Sequence, residues 1–229
     1  MNRKENSEME EMRSTVQEAF GNHNGCPLCR LLASTEKNVM NTVLSGQSDA
    51  EHQHMDMFGF CRKHWHTMEA HDASGLAKLL DARIRYINTD VFMNTPQSYP
   101  FQHLHTIHVI DHTVSSCYIC DHVDKALDTY LGVILDLWEN NEEFCSLFRA
   151  RRYFCLPHYR DLLERAGGKF KKHDMNDFFT TVSEIEKKCF DSLVADTRST
   201  CEGLDGQEPD ADQDEAEETI HRVISFLMG

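Results

Sequence analysis

An all-α fold built from two homologous helical halves follows from three features of the sequence. Apolar residues recur at three- and four-residue steps, no segment shows a convincing two-residue alternation, and one Cys/His pattern occurs twice. Val123, Leu127, Tyr130, Leu131, Ile134 and Leu137 fall on one helical face in the second half, and Leu32, Val39, Met40 and Val43 mark the corresponding stretch of the first. Leu76, Leu79, Leu80, Ile84 and Ile87 predict a helix later in the first half. Met175, Phe178, Phe179, Val182, Ile185, Cys189 and Leu193 predict the helix that closes the second. Asn94, Pro96 and Pro100 interrupt the pattern between the halves, and Gly167-Gly168 is expected to stop a short helix after His158.

The repeat is carried by the cysteines. Cys26-Pro-Leu-Cys29 precedes Phe60-Cys61-Arg-Lys-His64, and Cys117-Tyr-Ile-Cys120 precedes Phe154-Cys155-Leu-Pro-His158. The offset is 91 for the first pair of motifs (117 − 26) and 94 for the second (155 − 61), so three residues are inserted between the two motifs of the second half. An aromatic precedes each C-x-x-H, at Phe60 and Phe154, and another follows it, at Trp65 and Tyr159. The organisation expected is a first repeat with an N-terminal helix over 1–98, a second over 99–200, an acidic disordered linker over 201–218 and a short amphipathic helix over 219–229. The linker holds nine acids and no base, whereas Ile220, Val223, Ile224 and Leu227 recover helical spacing in a segment too short to be stable without something to dock on.

Composition narrows the function. The 229 residues, 40% hydrophobic, suffice for one or two compact domains, and a net charge of −15 argues against coating DNA or an anionic membrane. Neither a signal peptide nor a long apolar span is present, which predicts a cytoplasmic protein with no membrane contact. Thiols stay reduced in that compartment, so nine cysteines point to metal or redox chemistry rather than a disulfide framework.

A C-x-x-C knuckle supplies two sulfurs from neighbouring backbone positions, and a second knuckle completes a tetrahedral zinc site. Each half carries a Cys3His set, Cys26, Cys29, Cys61 and His64 in the first and Cys117, Cys120, Cys155 and His158 in the second, and each half is expected to close its own site. Helix starts at the knuckles would favour thiolate over thiol, and Pro27 suits a first turn. Two zinc ions per chain are the favoured occupants, with an iron-sulfur cluster on the same ligands as the alternative. A thioredoxin-type redox pair lacks its βαβ context, and Arg30 and Asp121 stand where covalent haem attachment needs His.

Other candidates are weaker. His108 and His112 are four apart with His103 and His105 upstream, but a solvated His-rich connector is the favoured reading, as for His52, His54, His66 and His71. Cys189 and Cys145 read as core and Cys201 as exposed. Residues 149–172 hold eight bases and two acids, a +6 window better explained as a solvated face near a thiolate site than as a nucleic-acid surface. The acidic tail is expected to be a solubilising segment, with folding back onto that window as the alternative. Phosphate loop, nucleophile elbow and His-Glu-x-x-His are absent, so the reading leans away from an enzyme.

With CPLCRLL, GFCRKHW, CYICD and YFCLPHY in this order, the chain resembles a bacterial family of cytoplasmic proteins that share the doubled motif and form a domain of unknown function. The resemblance covers approximately residues 20–195 and implies the fold and metal sites but no activity; the acidic segment and end helix look peculiar to this chain. Some relatives carry a label as substrate-binding proteins of ABC transporters, which does not suit an N-terminus with no export signal. The expected role is binding a protein partner or regulating one, with a redox protein or sensor as the alternative.

Overall fold

The computed structural model describes residues 3–45, 59–93, 102–205 and 213–229. Its elements are α1 (Arg3–Gly21), α2 (Pro27–Ser45), α3 (Arg62–His71), α4 (Ala73–Ile87), a π-helical stretch (Asn88–Met93), α5 (Gln102–Ser115), α6 (Tyr118–Asn140), α7 (Glu142–Arg149), α8 (Leu156–Lys169), α9 (Lys172–Asp205) and α10 (Gln213–Met228). The fold is all-α, with no strand among the described residues.

The chain divides into two compact units that do not follow the expected tandem halves. Unit 1 comprises residues 1–32 and 127–229, and unit 2 is the intervening stretch 33–126. The divisions fall inside α2 and α6, since each of these long helices begins at a C-x-x-C knuckle of one unit and ends in the other.

Unit 1 is built on an aromatic core. Phe20, Phe144, Phe148, Phe154 and Phe178 are fully buried, with Trp138 edge-on to Phe148 and Phe178 at 5.0 and 5.4 Å. Each such ring contributes on the order of 2 kcal/mol by leaving water. Leu131, Ile134 and Leu137 of α6 join this core, as their spacing predicts. Unit 2 has a smaller core of Met40, Val43, Phe60, Met68, Leu76, Leu79 and Ile119. There the predicted α4 face is only half realised, because Leu80 and Ile84 are exposed.

Helix ends differ from expectation in two places. Helix α8 runs through Gly167 and Gly168 and stops at Lys169, where the Phe170 N–H still donates to Ala166 before its backbone turns extended. Much of the acidic stretch is helical: α9 continues to Asp205 and α10 starts at Gln213, leaving only 206–212 of it outside the described residues. Acids in a first turn favour a helix N-terminus, and Glu and Ala are good helix formers, so charge alone did not forbid order. The end helix is docked rather than solvated, with Phe226 buried 5.9 Å from the Tyr153 ring and Arg222 paired to Asp196 of α9 at 3.1 Å. The predicted break at Asn94, Pro96 and Pro100, and His52 and His54, lie outside the described residues.

Candidate metal centres

All four motifs adopt one local structure. Cys26, Cys61, Cys117 and Cys155 each immediately precede a helix, and in each case the first helical backbone bond runs to the carbonyl of that cysteine: Arg30 to Cys26, Trp65 to Cys61, Asp121 to Cys117 and Tyr159 to Cys155. The second donor of every motif, three residues on, therefore lies on the same side of the first turn. Helix N-termini present unpaired N–H groups and positive dipole ends, which suit thiolates. The Cys120 N–H lies 3.5 Å from the Cys117 Sγ in this manner.

The motifs assemble into two Cys3His groups, but with their partners exchanged. Cys26 and Cys29 meet Cys155 and His158 in unit 1, and Cys61 and His64 meet Cys117 and Cys120 in unit 2. The expectation that each sequence half closes its own site is corrected: the first C-x-x-C joins the last C-x-x-H, and the two inner motifs join each other. The chain path matches this exchange: α2 starts at the first C-x-x-C in unit 1 and ends in unit 2, and α6 starts at the second C-x-x-C in unit 2 and ends in unit 1.

Within each group the donor atoms all lie within 4.8 Å of one another. In unit 1, Cys29 Sγ is 3.4 Å from Cys155 Sγ, and His158 Nδ1 is 3.5, 3.3 and 3.0 Å from the sulfurs of Cys26, Cys29 and Cys155. In unit 2, Cys61 Sγ is 3.9 Å from Cys120 Sγ, and His64 Nδ1 is 3.2, 3.2 and 3.5 Å from the sulfurs of Cys61, Cys117 and Cys120. Tetrahedral coordination at zinc–sulfur and zinc–nitrogen lengths places neighbouring donors about 3.5–3.8 Å apart, so the donor set and its spacing fit a single ion.

Within each group the close-set thiols and imidazole perturb one another strongly. Contacts with Cys155, Cys29 and His158 outweigh burial and hold the Cys26 thiol well below its ordinary range. Cys29 is pushed up by sharing hydrogen bonds with Cys155 and Cys26. For His158, burial is outweighed by the sulfurs of Cys155 and Cys26, which lift its ring to about 10. In unit 2, burial and the proximity of Cys117 push Cys120 up to about 12. Sulfurs this close cannot all ionise side by side without a cation to neutralise them.

Residues around the groups hold them in place. His64 Nε2 lies 2.7 Å from Glu36 Oε1, which also accepts from Lys63 Nζ at 2.7 Å, so the ring is oriented with Nδ1 toward the sulfurs. The Tyr118 N–H donates to the Gly59 carbonyl at 2.9 Å and clips the two inner motifs together. Gly59 has φ +65°, and a Cβ there would stand 2.8 Å from the guanidinium of buried Arg83 and 3.1 Å from the Thr113 carbonyl; only glycine suits this position. In unit 1 the buried Arg151 donates to the carbonyls of Phe20 and Gly25 at 3.0 and 2.7 Å, fixing the approach to Cys26. Glu186 accepts from the Phe154 N–H at 2.6 Å, and burial lifts its carboxyl to about 7. The aromatics beside each C-x-x-H are anchors: Phe60 and Phe154 are buried, and Phe60 packs edge-on to Trp65 at 4.9 Å. Sequence reasoning missed Glu36, Arg83 and Glu186, since a lone charged residue on a helix reads as surface, and it took Arg151, which lies between α7 and α8, only as one base of the 149–172 window.

His103, His105, His108 and His112 are exposed on α5, His66 and His71 are exposed on α3, and no third Cys/His group forms among the described residues. Cys201 is exposed, Cys145 is partly buried with its Sγ 3.0 Å from the Trp138 carbonyl, and Cys189 is only partly buried rather than core. No described helix is long and apolar enough to cross a membrane.

No curated protein and no solved structure matches the chain. A family model does, over residues 9–229, and its span takes in the acidic segment and the end helix that seemed peculiar to this sequence. With a match over nearly its whole length, the chain belongs to the Family of unknown function (DUF6062).

Proposed function

We propose that this chain is a cytoplasmic two-zinc protein whose metals are structural and whose role is to bind a partner, with Cys26, Cys29, Cys155 and His158 as one ligand set and Cys61, His64, Cys117 and Cys120 as the other. The observation that carries this reading is the convergence of four protein donors within 4.8 Å at both places. Four protein donors leave no open coordination position, which is the mark of a structural rather than a catalytic zinc. An iron-sulfur cluster interposes sulfide between its metals and needs more widely spaced terminal ligands, so the compactness of both groups favours a single ion. A compartment that keeps thiols reduced suits all nine cysteines being free. The partner-binding role is supported by α5, where Leu104, Ile107, Ile110 and Val114 recur at helical spacing and are exposed.

Elemental analysis of protein purified without oxygen tests the reading. Close to two zinc and no iron per chain is the expected result. A brown, iron-containing protein would replace it with the redox alternative, and a metal-free, fully folded protein would defeat both.

A further inference from the structure

Unit 1 contains a cavity of about 670 Å³ that the metal centres do not use. Its walls come from α9, from α10 and from the segment at the end of α7 that leads to Phe154. Arg149, Arg151, Arg152, Lys188 and Arg222 line it, against one acid, Glu218. Five bases less one acid make +4, in a chain whose net charge is −15. Arg149 and Arg222 face acids outside the lining, Asp177 at 3.9 Å and Asp196 at 3.1 Å, whereas Arg152 and Lys188 are exposed to the cavity side of the surface. Arg151 is only 4% exposed, and its Nε is buried with no hydrogen-bond partner among the described residues.

The rest of the lining is mixed, with polar Asn24, Ser192, His221 and Ser225 beside an apolar wall. Tyr153, Ile185, Leu193 and Phe226 contribute to the same cavity. Clefts and cavities of about 300–1,000 Å³ are the size of small-molecule pockets. We propose that this cavity binds a small organic anion, with a phosphate, sulfonate or carboxylate head held by Arg152 and Lys188 in the basic field of the lining and an apolar body against Tyr153 and Phe226. A polyanion such as duplex nucleic acid fits less well, because α10 walls one side and the remaining surface is strongly acidic. Anion binding here requires no particular ion in the Cys3His groups, but Arg151 and α10 border both the cavity and the unit 1 group, so metal content measured on the same samples keeps the two questions apart.

The test uses the full-length protein and two probes of nearly the same shape, 1-anilinonaphthalene-8-sulfonate and the uncharged N-phenyl-1-naphthylamine, titrated by fluorescence. The sulfonate should saturate at one per chain and bind more tightly than the uncharged probe, with affinity falling as salt rises. The double variant Arg152→Glu with Lys188→Glu, both exposed positions outside the metal groups, should weaken the sulfonate about tenfold or more while leaving the uncharged probe, the metal content and the circular dichroism unchanged. Equal affinity for the two probes, or sulfonate binding indifferent to the double charge reversal, overturns the proposal. Displacement of the sulfonate by a 20-base-pair duplex at physiological salt would also overturn it, in favour of a nucleic-acid surface.

Discussion

The two Cys3His groups share a donor set and a local backbone, yet they are held by different means. In unit 1 the group is set into the aromatic core, with Cys155 at 0%, Cys26 at 5% and His158 at 9% exposure and Cys29 its one partly buried member. In unit 2 the core is smaller, Cys61 and Cys120 are only partly buried, and the ring of His64 is braced from outside by Glu36. One group relies on packing and exclusion of water, the other on a hydrogen-bonded carboxylate. The Lys63–Glu36 pair contributes little as a surface ion pair; its consequence lies in fixing the imidazole.

Loss of a ligand should separate the groups most strongly. Cys155→Ser removes a donor and leaves a hydroxyl in a dry core, so metal-coupled folding energy on the order of 10 kcal/mol is at stake in unit 1. Cys61→Ser should lower stability less, because its site is nearer solvent, and Cys201→Ser should change it by no more than about 0.5 kcal/mol. Each ligand variant should lose one metal per chain. Equal melting temperatures for the three variants would refute the assignment.

Exchange kinetics offer a second separation. A chromophoric chelator should draw the metal from unit 2 in a fast phase and from unit 1 in a slow one, since access to Cys61 and Cys120 requires less opening of the fold. Loss of both metals in one phase would erase the distinction drawn from burial. Glu36→Gln should then weaken the unit 2 site about 10–100-fold, as outer carboxylates on metal-bound histidines do. The unit 1 phase should not move, and an unchanged fast phase would show that Glu36 does not orient the ring.

The helical class and the composition of each group were legible because spacing and residue type carry them. Which motifs pair was not. Four motifs in the order C-x-x-C, C-x-x-H, C-x-x-C, C-x-x-H yield two Cys3His groups whether neighbours pair or the outer and inner ones do, so chemistry cannot choose. Chain entropy does not choose either: closing Cys29 on Cys155, 126 residues apart, instead of on Cys61, 32 apart (61 − 29), costs only about 1 kcal/mol more. The decision rests with α2 and α6, whose length as single uninterrupted helices depends on the packing of Met40, Val43 and Ile134 in cores that the local pattern does not reveal. Arg83 and Arg151 were hidden for a related reason, since their partners are backbone carbonyls near the ends of sequence-distant helices, Thr113 of α5 and Phe20 of α1.

The smallest expected effect concerns how the unit 1 group is covered. Gly229 follows α10 and has φ +90°, and a Cβ there would stand 3.1 Å from the Cys29 Sγ and 3.2 Å from the Cys155 Sγ. A residue with a side chain must leave that left-handed conformation or accept about 1–2 kcal/mol of strain, and in either case it is pushed off the sulfurs. Gly229→Ala should therefore lower the melting temperature by only about 2–4 °C for each kcal/mol lost. Its sharper signature is kinetic: the slow chelator phase of unit 1 should accelerate toward the rate of unit 2, because the helix end no longer lies over Cys29 and Cys155. If the slow phase keeps its rate while the melting temperature falls, packing of the aromatic core alone protects that group, and the end helix does not cover it.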